Sequence, residues 1–162
     1  MKNKGFTLIE LVIVIVVLGI LAVTALPRLI DLQTDARISS LQGLLGAMQG
    51  ANDQLIGVSS VQGLDTVASS SVVVEGETVA IAFGYARADN ANAWSRILEA
   101  NIEDSTWGND NADWYFNNED ADDSIITFMP RSRRREGDGC FLTYNEATSA
   151  SAPSYILTTD GC

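Results

Sequence analysis

The sequence has no histidine, only two cysteines and only two lysines. Without histidine, imidazole acid–base catalysis and metal sites built on imidazole ligands are excluded. The net charge of −11 disfavours contact with nucleic-acid phosphates, so DNA or RNA binding is set aside. The sequence also lacks a glycine-rich phosphate loop and a nucleophile–base pair, so an enzyme has no support and no cofactor is expected.

Apolar residues are crowded at the N-terminal end of the chain. Residues 6–26 contain only three polar side chains, those of Thr7, Glu10 and Thr24. A helix over this stretch would be about 32 Å long, which matches the hydrocarbon core of a bilayer. Because both lysines, Lys2 and Lys4, precede the stretch, we expect a transmembrane helix whose N-terminal end is cytoplasmic.

Two simpler interpretations of this segment are a secretory signal peptide, cut near residues 23–25, and a plain membrane anchor. Both leave Glu10 without an explanation. A carboxylate inside an apolar span costs roughly 2.5–3.5 kcal/mol on insertion scales, and no basic residue lies within residues 6–26 to offset that cost.

A cut between Gly5 and Phe6 would supply a partner for Glu10. It would create an α-amino group on Phe6, close to the membrane depth of the carboxylate. The pair could form within one chain or between neighbouring chains. In the second case it would act as an assembly switch, because a subunit in the wrong axial register would leave a buried charge unpaired.

The segment from Gly5 to Glu10, read as Gly-Phe-Thr-Leu-Ile-Glu after a short basic leader, resembles the signature of type IV prepilins and type II secretion pseudopilins. The resemblance implies a leader over residues 1–5, cleavage after Gly5 by a prepilin peptidase, N-methylation of Phe6 and guidance of assembly by Glu10. It also implies an inner-membrane subunit that the pilus assembly machinery converts into an extracellular homopolymer.

Residues 27–37 are similar to the mannose-sensitive haemagglutinin (MSHA) branch of type IVa pilins, and two cysteines near the C-terminus fit that branch. We therefore expect a major pilin that serves adhesion, biofilm attachment or surface motility. The alternatives are a major pseudopilin of type II secretion and a minor pilin at the filament tip. The surface or receptor that the filament would bind is not predicted.

Gly19 and Pro27 predict a place where the long helix kinks or melts. Proline removes a backbone donor and crowds the carbonyl four residues earlier, and glycine is a poor helix former. A simple kink at the exit from the membrane explains the same pattern in a free subunit. We expect residues 6–26 to form the transmembrane and assembly helix and residues 27–162 to form the head.

The head is predicted to be α+β, with an amphipathic continuation of the helix packed on a four-stranded antiparallel sheet, the pilin fold. Apolar residues recur at helical spacing at Ile38, Leu41, Leu45, Met48 and Leu55, with Leu44 and Ala51 beside them. Residues 72–74 and 78–83 flank a hairpin turn, residues 92–100 form a short helix, and residues 125–129, 140–144 and 155–158 form further strands.

Cys140 and Cys162 bracket the last segment of an exported chain, which favours a disulfide between them. In the chain-entropy model, closing a loop of this length contributes roughly 3 kcal/mol.

Two charged clusters remain. Arg131, Arg133, Arg134 and Arg135 are candidate subunit contacts that could dock on an acidic surface such as residues 120–123, or bind an anionic ligand, or form a solvated loop. Asparagine and aspartate residues over 109–123 approach calcium-loop spacing at Asn109, Asn111, Asp113, Asn117 and Asp120. Trp114 stands where that loop needs glycine, so no metal is predicted.

Overall fold

The computed structural model describes residues 5–106, 111–118 and 124–162, without the side chains of residues 26–31. The chain forms two compact units, Met1–Ala36 and Arg37–Cys162. One long helix, α1 (Leu8–Gln62), contributes to both units, and strands follow it. The predicted α+β class is therefore confirmed.

In the first unit, the segment Leu8–Ala25 has a mean hydropathy of 3.0 and is fully exposed in the isolated chain. Within the part of the chain that the structure describes, it is the one helical segment with the length and composition to cross a membrane. Helix α1 continues through Gly19 and Pro27 without interruption. The kink or local melting there stays a prediction.

In the second unit, one face of α1 is buried. Leu41, Met48 and Leu55 are fully buried, and Ile38 and Leu45 pack against the core with partial exposure. The residues between them on the helix, such as Gln42 and Gln49, are exposed. The amphipathic pattern of the sequence thus predicts correctly which face of α1 packs on the core.

Two sheets complete the second unit. The first has three antiparallel strands in the order β1-β2-β3: β1 (Ser70–Val74), β2 (Glu77–Ala82) and β3 (Tyr85–Ala86). The second has five strands in chain order: β4 (Ile102–Asp104), β5 (Trp114–Asn117), β6 (Ile125–Pro130), β7 (Phe141–Asn145) and β8 (Ser154–Thr158). Strands β4 and β5 are parallel, whereas the other pairs are antiparallel.

The prediction of one four-stranded antiparallel sheet is therefore wrong. The hairpin of β1 and β2 pairs with β3 to form a sheet of its own. Strands β3 and β4 have two and three residues, too few to show a period-2 pattern. Strand β5 lies between polar loops rich in Asn and Asp, which hide it in the sequence.

Local chemistry explains the turn and the short helix. The β1–β2 turn has two central residues, Glu75 (φ 53°) and Gly76 (φ 89°), and positive φ at both positions suits the twist of a tight hairpin. The short helix consists of a π-helical turn, Asn90–Trp94, and an α-turn, Ser95–Ile97, and so begins two residues earlier than predicted. The Asp89 side chain caps it by accepting a bond from the Asn92 amide at 3.1 Å.

The core of the second unit centres on Trp94, which is fully buried. Its ring meets those of Tyr144 and Phe128 edge to face, with centroids 4.8 and 6.2 Å away. Burial of Trp94 fixes the apolar side of the short helix against the core. The same cluster contains the buried residues of α1, so helix and sheets share one core.

Candidate assembly site

Glu10 is held at the start of α1 by Thr7. The Glu10 Oε2 atom accepts hydrogen bonds from the Thr7 backbone N–H at 2.8 Å and from the Thr7 hydroxyl at 2.7 Å. The Thr7 Oγ1 atom accepts a bond from the Glu10 N–H at 3.3 Å. This is a capping box, which satisfies backbone donors that the first turn of a helix leaves without partners.

The capping box was not part of the sequence prediction, although its signal is present. Threonine followed three residues later by glutamate, directly before an apolar run, is typical of a helix start. Both bonds to the carboxylate use Oε2, so Oε1 stays available to a further donor. Gly5 and Phe6 are exposed just before the helix, and Phe6 is 91% exposed.

The apolar segment beside this site lacks cover in the isolated chain. Large apolar side chains from Leu8 to Val23 are each 43–79% exposed. Soluble monomers rarely leave a continuous apolar surface of this extent in water. None of the residues that the structure describes covers the segment, so it has the surface expected of a segment that lies in lipid or packs against another protein surface.

The C-terminal segment is tied to the rest of the second unit at two points. Cys140 and Cys162 form a disulfide, as predicted, and both are buried. The Arg37 guanidinium donates through Nη1 to the carbonyl oxygen of Cys162 and through Nε to the Ser132 hydroxyl, the second bond at 3.0 Å. Helix α1 therefore holds the disulfide-linked segment directly.

A close backbone approach supports this arrangement. The Gly161 N–H donates to the Gly139 carbonyl at 2.9 Å, and a Cβ on Gly161 would lie 1.7 Å from the Asp138 oxygen. Only glycine fits at position 161 without a backbone shift. Neither this glycine nor the role of Arg37 was predicted, because both depend on contacts between residues distant in sequence.

A buried polar network joins α1 to both sheets. The side chain of Asn52, 2% exposed, accepts a bond from the Ala86 N–H at 2.8 Å and donates to the Tyr155 hydroxyl at 2.6 Å. The Tyr144 hydroxyl donates to the Ala86 carbonyl at 2.6 Å and lies 3.4 Å from the Asn52 amide nitrogen. Burial raises the pKa of Tyr144 and of Tyr155, which keeps both hydroxyls protonated.

The four arginines at 131–135 have different environments. The Arg134 guanidinium lies 4.2 Å from the centre of the Tyr115 ring and donates to the Ser105 carbonyl at 3.0 Å, so it is part of the internal structure. Arg131 and Arg135 are exposed, and Arg133 is half-buried. Arg131 donates to the Asn111 side chain at 3.3 Å. Their role as subunit contacts stays a prediction.

The weak calcium-loop pattern is only partly within the described residues. Asn109 and Asp120 lie outside them, as does the acidic stretch 120–123 that was considered as a docking surface. The Asn117 amide donates to the Glu136 carboxylate at 3.0 Å. Within the described ranges, no group of three or more acidic or cysteine side chains is arranged to hold a metal.

Comparison with known proteins identifies the N-terminal motif. Residues 1–26 match the family model of the prokaryotic N-terminal methylation motif. The capped helix start and the exposed apolar segment that follows it fall within this match. The chain is thus a protein with an N-methylation motif and a single apolar N-terminal helix.

Three relatives are named as pilus or fimbrial proteins. The chain is 47% identical over 51 residues to a type IV narrow pilus major component, PilA5, of Thermus thermophilus, an alignment that covers 32% of this chain and 44% of the relative. It is 38% identical over 78 residues to the fimbrial protein EcpC of Eikenella corrodens, covering 48% and 51%. It is also 44% identical over 50 residues to the type IV major pilin protein PilA of Myxococcus xanthus, covering 31% and 23%.

These similarities show that the chain is homologous to type IV pilins. The matches span about a quarter to a half of the relatives' lengths. The relatives are named as pilus or fimbrial proteins, not as enzymes. No solved structure matches the chain significantly.

Proposed function

We propose that the chain is the major structural subunit of a type IV pilus of the MSHA type. It polymerises through residues 6–26 into an extracellular filament that serves adhesion, biofilm attachment or surface motility. The observation that carries the proposal is the overlap of two features: the methylation motif at residues 1–26 and the uncovered apolar segment Leu8–Ala25.

Processing precedes assembly. A prepilin peptidase cuts between Gly5 and Phe6, Phe6 is N-methylated, and the subunit waits in the inner membrane with residues 6–26 across the bilayer. The exposed position of Gly5 and Phe6, ahead of the first helical turn, suits access by a peptidase. The pilus assembly machinery then moves the subunit from lipid into the filament, where equivalent segments of other copies replace the lipid.

Glu10 selects the register of each incoming subunit. The Thr7 donors hold Oε2 at the helix start. Oε1 is then available to pair with the new ammonium of Phe6 in its own or a neighbouring chain. A carboxylate in an apolar environment is strongly stabilised by a cation and strongly destabilised without one. Subunits in the correct register therefore gain an interaction that misaligned subunits lose.

The head, residues 27–162, covers the outside of the filament. Most of the head is the second unit, Arg37–Cys162. This unit contains its own core, the disulfide and the Asn52 network, and so needs no other copy to bury its core residues. This independence suits a domain that keeps its fold both at the membrane surface and in the polymer.

Immunolabelling of intact cells, viewed by electron microscopy, tests the proposal. Antibodies against the head should decorate long surface fibres. The variant Gly5→Glu should leave an uncut membrane precursor and no fibres, whereas Gly5→Ala, which keeps a small residue at the cut site, should give fibres. Label confined to fibre tips would indicate a minor pilin, and absence of fibres together with a secretion defect would indicate a pseudopilin.

A further inference from the structure

Four exposed or partly exposed arginines of the second unit differ in their pairing. Arg87 and Arg96, far from the 131–135 loop in sequence, form ion pairs with Glu146 at 3.6 Å and with Glu77 at 3.9 Å. Within the described ranges, no carboxylate pairs with Arg131 or Arg135, although the chain is strongly acidic. These two exposed guanidinium groups are therefore available to an acidic partner.

A cleft elsewhere in the same unit has the complementary chemistry. Its volume is about 320 Å³. It is lined by Asp65 and Thr66 after α1, by Phe83 of the β2–β3 turn and Tyr85 at the start of β3, and by residues 148–152 between β7 and β8. Asp65 is the only charged residue in this lining. A carboxylate beside aromatic rings suits a guanidinium, which pairs with the first and stacks on the second.

The wall of the cleft has a constrained backbone. Phe83 has φ 50°, a region that bulky residues rarely adopt, and its N–H donates to the Val67 carbonyl at 2.8 Å. The next residue, Gly84, packs so closely that a Cβ would lie 2.4 Å from Ile56 and 2.9 Å from Ser59. Phe83 and Gly84 are the two central residues of the tight turn between β2 and β3, so positive φ at both positions is that of a two-residue hairpin, as at Glu75 and Gly76.

The 131–135 loop and the cleft lie near opposite ends of residues 37–62, the part of α1 that belongs to the second unit. The loop reaches α1 at Arg37, the first residue of the unit, through the Ser132 hydroxyl. The cleft begins at Asp65, three residues beyond the last residue of α1, Gln62. Residues 37–62 extend about 38 Å along the helix axis. Within one copy, the loop therefore cannot reach the cleft.

Two complementary patches at opposite ends of one unit produce a head-to-tail contact between copies. Such heterologous contacts form open helical filaments when the rotation between subunits does not close into a ring. We propose that Arg131 and Arg135 of one subunit dock in the Asp65 cleft of another copy of this chain. The inference rests on the proposed function, since it requires a filament of repeated copies.

Charge reversal on each side, followed by exchange, tests this contact in whole cells. Two variants reverse the charge on one side each: the double variant Arg131→Glu with Arg135→Glu, and the single variant Asp65→Arg. In cells that express either variant, the mass of sheared filaments should fall about tenfold. The three changes combined should restore at least half of the wild-type amount. Arg96→Gln, which removes an exposed arginine outside the loop without adding a carboxylate beside Glu77, and Glu99→Arg, at an exposed position outside loop and cleft, are the controls that should leave filaments near the wild-type amount. Asp65→Asn, which keeps the side-chain shape, should cause a smaller loss than Asp65→Arg.

Each outcome decides a different question. Wild-type filament mass in either single-sided variant would contradict the contact. Loss in both single-sided variants without recovery in the combination would show that loop and cleft bind different partners, for example lipid phosphates or a small neutral ligand, and would also overturn the proposal. A wild-type chain that forms no filaments would remove the proposed function itself, and this contact with it.

Discussion

Helix α1 contains two regions with opposite surroundings. In residues 8–25 every large apolar side chain is exposed, and the only carboxylate is held by its own helix start. In residues 37–62 the apolar side chains form one buried face, and the polar residues lie on the other. Among the described residues nothing covers the first region, whereas two sheets cover the second.

The difference assigns the two regions to different tasks. Residues 8–25 supply the apolar surface for the proposed polymer, and residues 37–62 belong to the fold of the second unit. Burying an apolar side chain of this size contributes about 1.5–3 kcal/mol, and residues 8–25 gain none of it within the isolated chain. Residues 8–25 can gain that free energy only by packing against lipid or against other copies of the chain. The second unit has already gained the free energy of burying its own apolar side chains. It keeps that stabilisation whether residues 8–25 pack against lipid or against other copies.

The largest expected effect is the loss of assembly in Glu10→Leu. The variant should insert into the membrane at least as well as wild type, because an insertion penalty of roughly 2.5–3.5 kcal/mol is removed. It should still form filaments more than tenfold less efficiently, since the Phe6 ammonium lacks its carboxylate. Sheared-filament mass and carbonate-resistant membrane content are the two measurements. Efficient filament formation by subunits that all carry Glu10→Leu would disprove the pairing role.

The second unit should depend most on its disulfide. Cys140→Ser should lower the free energy of unfolding by roughly 3 kcal/mol in the chain-entropy model. Proteolysis from the periplasmic side should then reduce the amount of subunit in the membrane, without a change in the cut at Gly5. Urea unfolding of the detergent-solubilised subunit measures the first effect. Free thiols at both positions in untreated wild-type protein would show that the bond does not form.

Asn52→Leu should lower the free energy of unfolding by about 2 kcal/mol, because it leaves the buried Ala86 N–H without an acceptor. Asp53→Leu, on the exposed side of the same helix, is the matched control and should change stability by less than about 0.5 kcal/mol. Urea unfolding midpoints decide the comparison. Equal midpoints for the two variants would mean that the network does not stabilise the unit.

The smallest effect is a pH dependence. Burial raises the pKa of Tyr144 and Tyr155, so the unfolded chain releases their protons near the ordinary value of about 10, while the folded chain retains them. Stability should be unaffected by these groups below that pH and fall as the pH rises above it. Tyr155→Phe should weaken the fall. An unchanged slope in thermal unfolding at high pH would contradict the assignment.

Both regions of α1 were more predictable from the sequence than the sheets that cover the second one. The apolar helix near the N-terminus was predicted from composition alone, and the buried face of residues 37–62 from its 3.6-residue period, because both signals are local. The five-stranded sheet was missed at β4 and β5, which are short and pair in parallel across an intervening loop. Arg37 and Asn52 depend on contacts across 34 to 125 residues of sequence. Gly161 and the Asp65 cleft also join segments that are separate in the chain, and no local pattern carries such contacts.

Expression of residues 37–162 alone, exported to an oxidising compartment, tests the division between polymer and fold most directly. The account predicts a soluble, disulfide-bonded monomer that unfolds cooperatively and does not form filaments at any concentration reached by the full-length subunit. Sedimentation and thermal unfolding measure both properties. An unfolded or aggregated product would contradict the independence of the second unit, and filaments made by residues 37–162 would contradict the role of residues 6–26 in assembly.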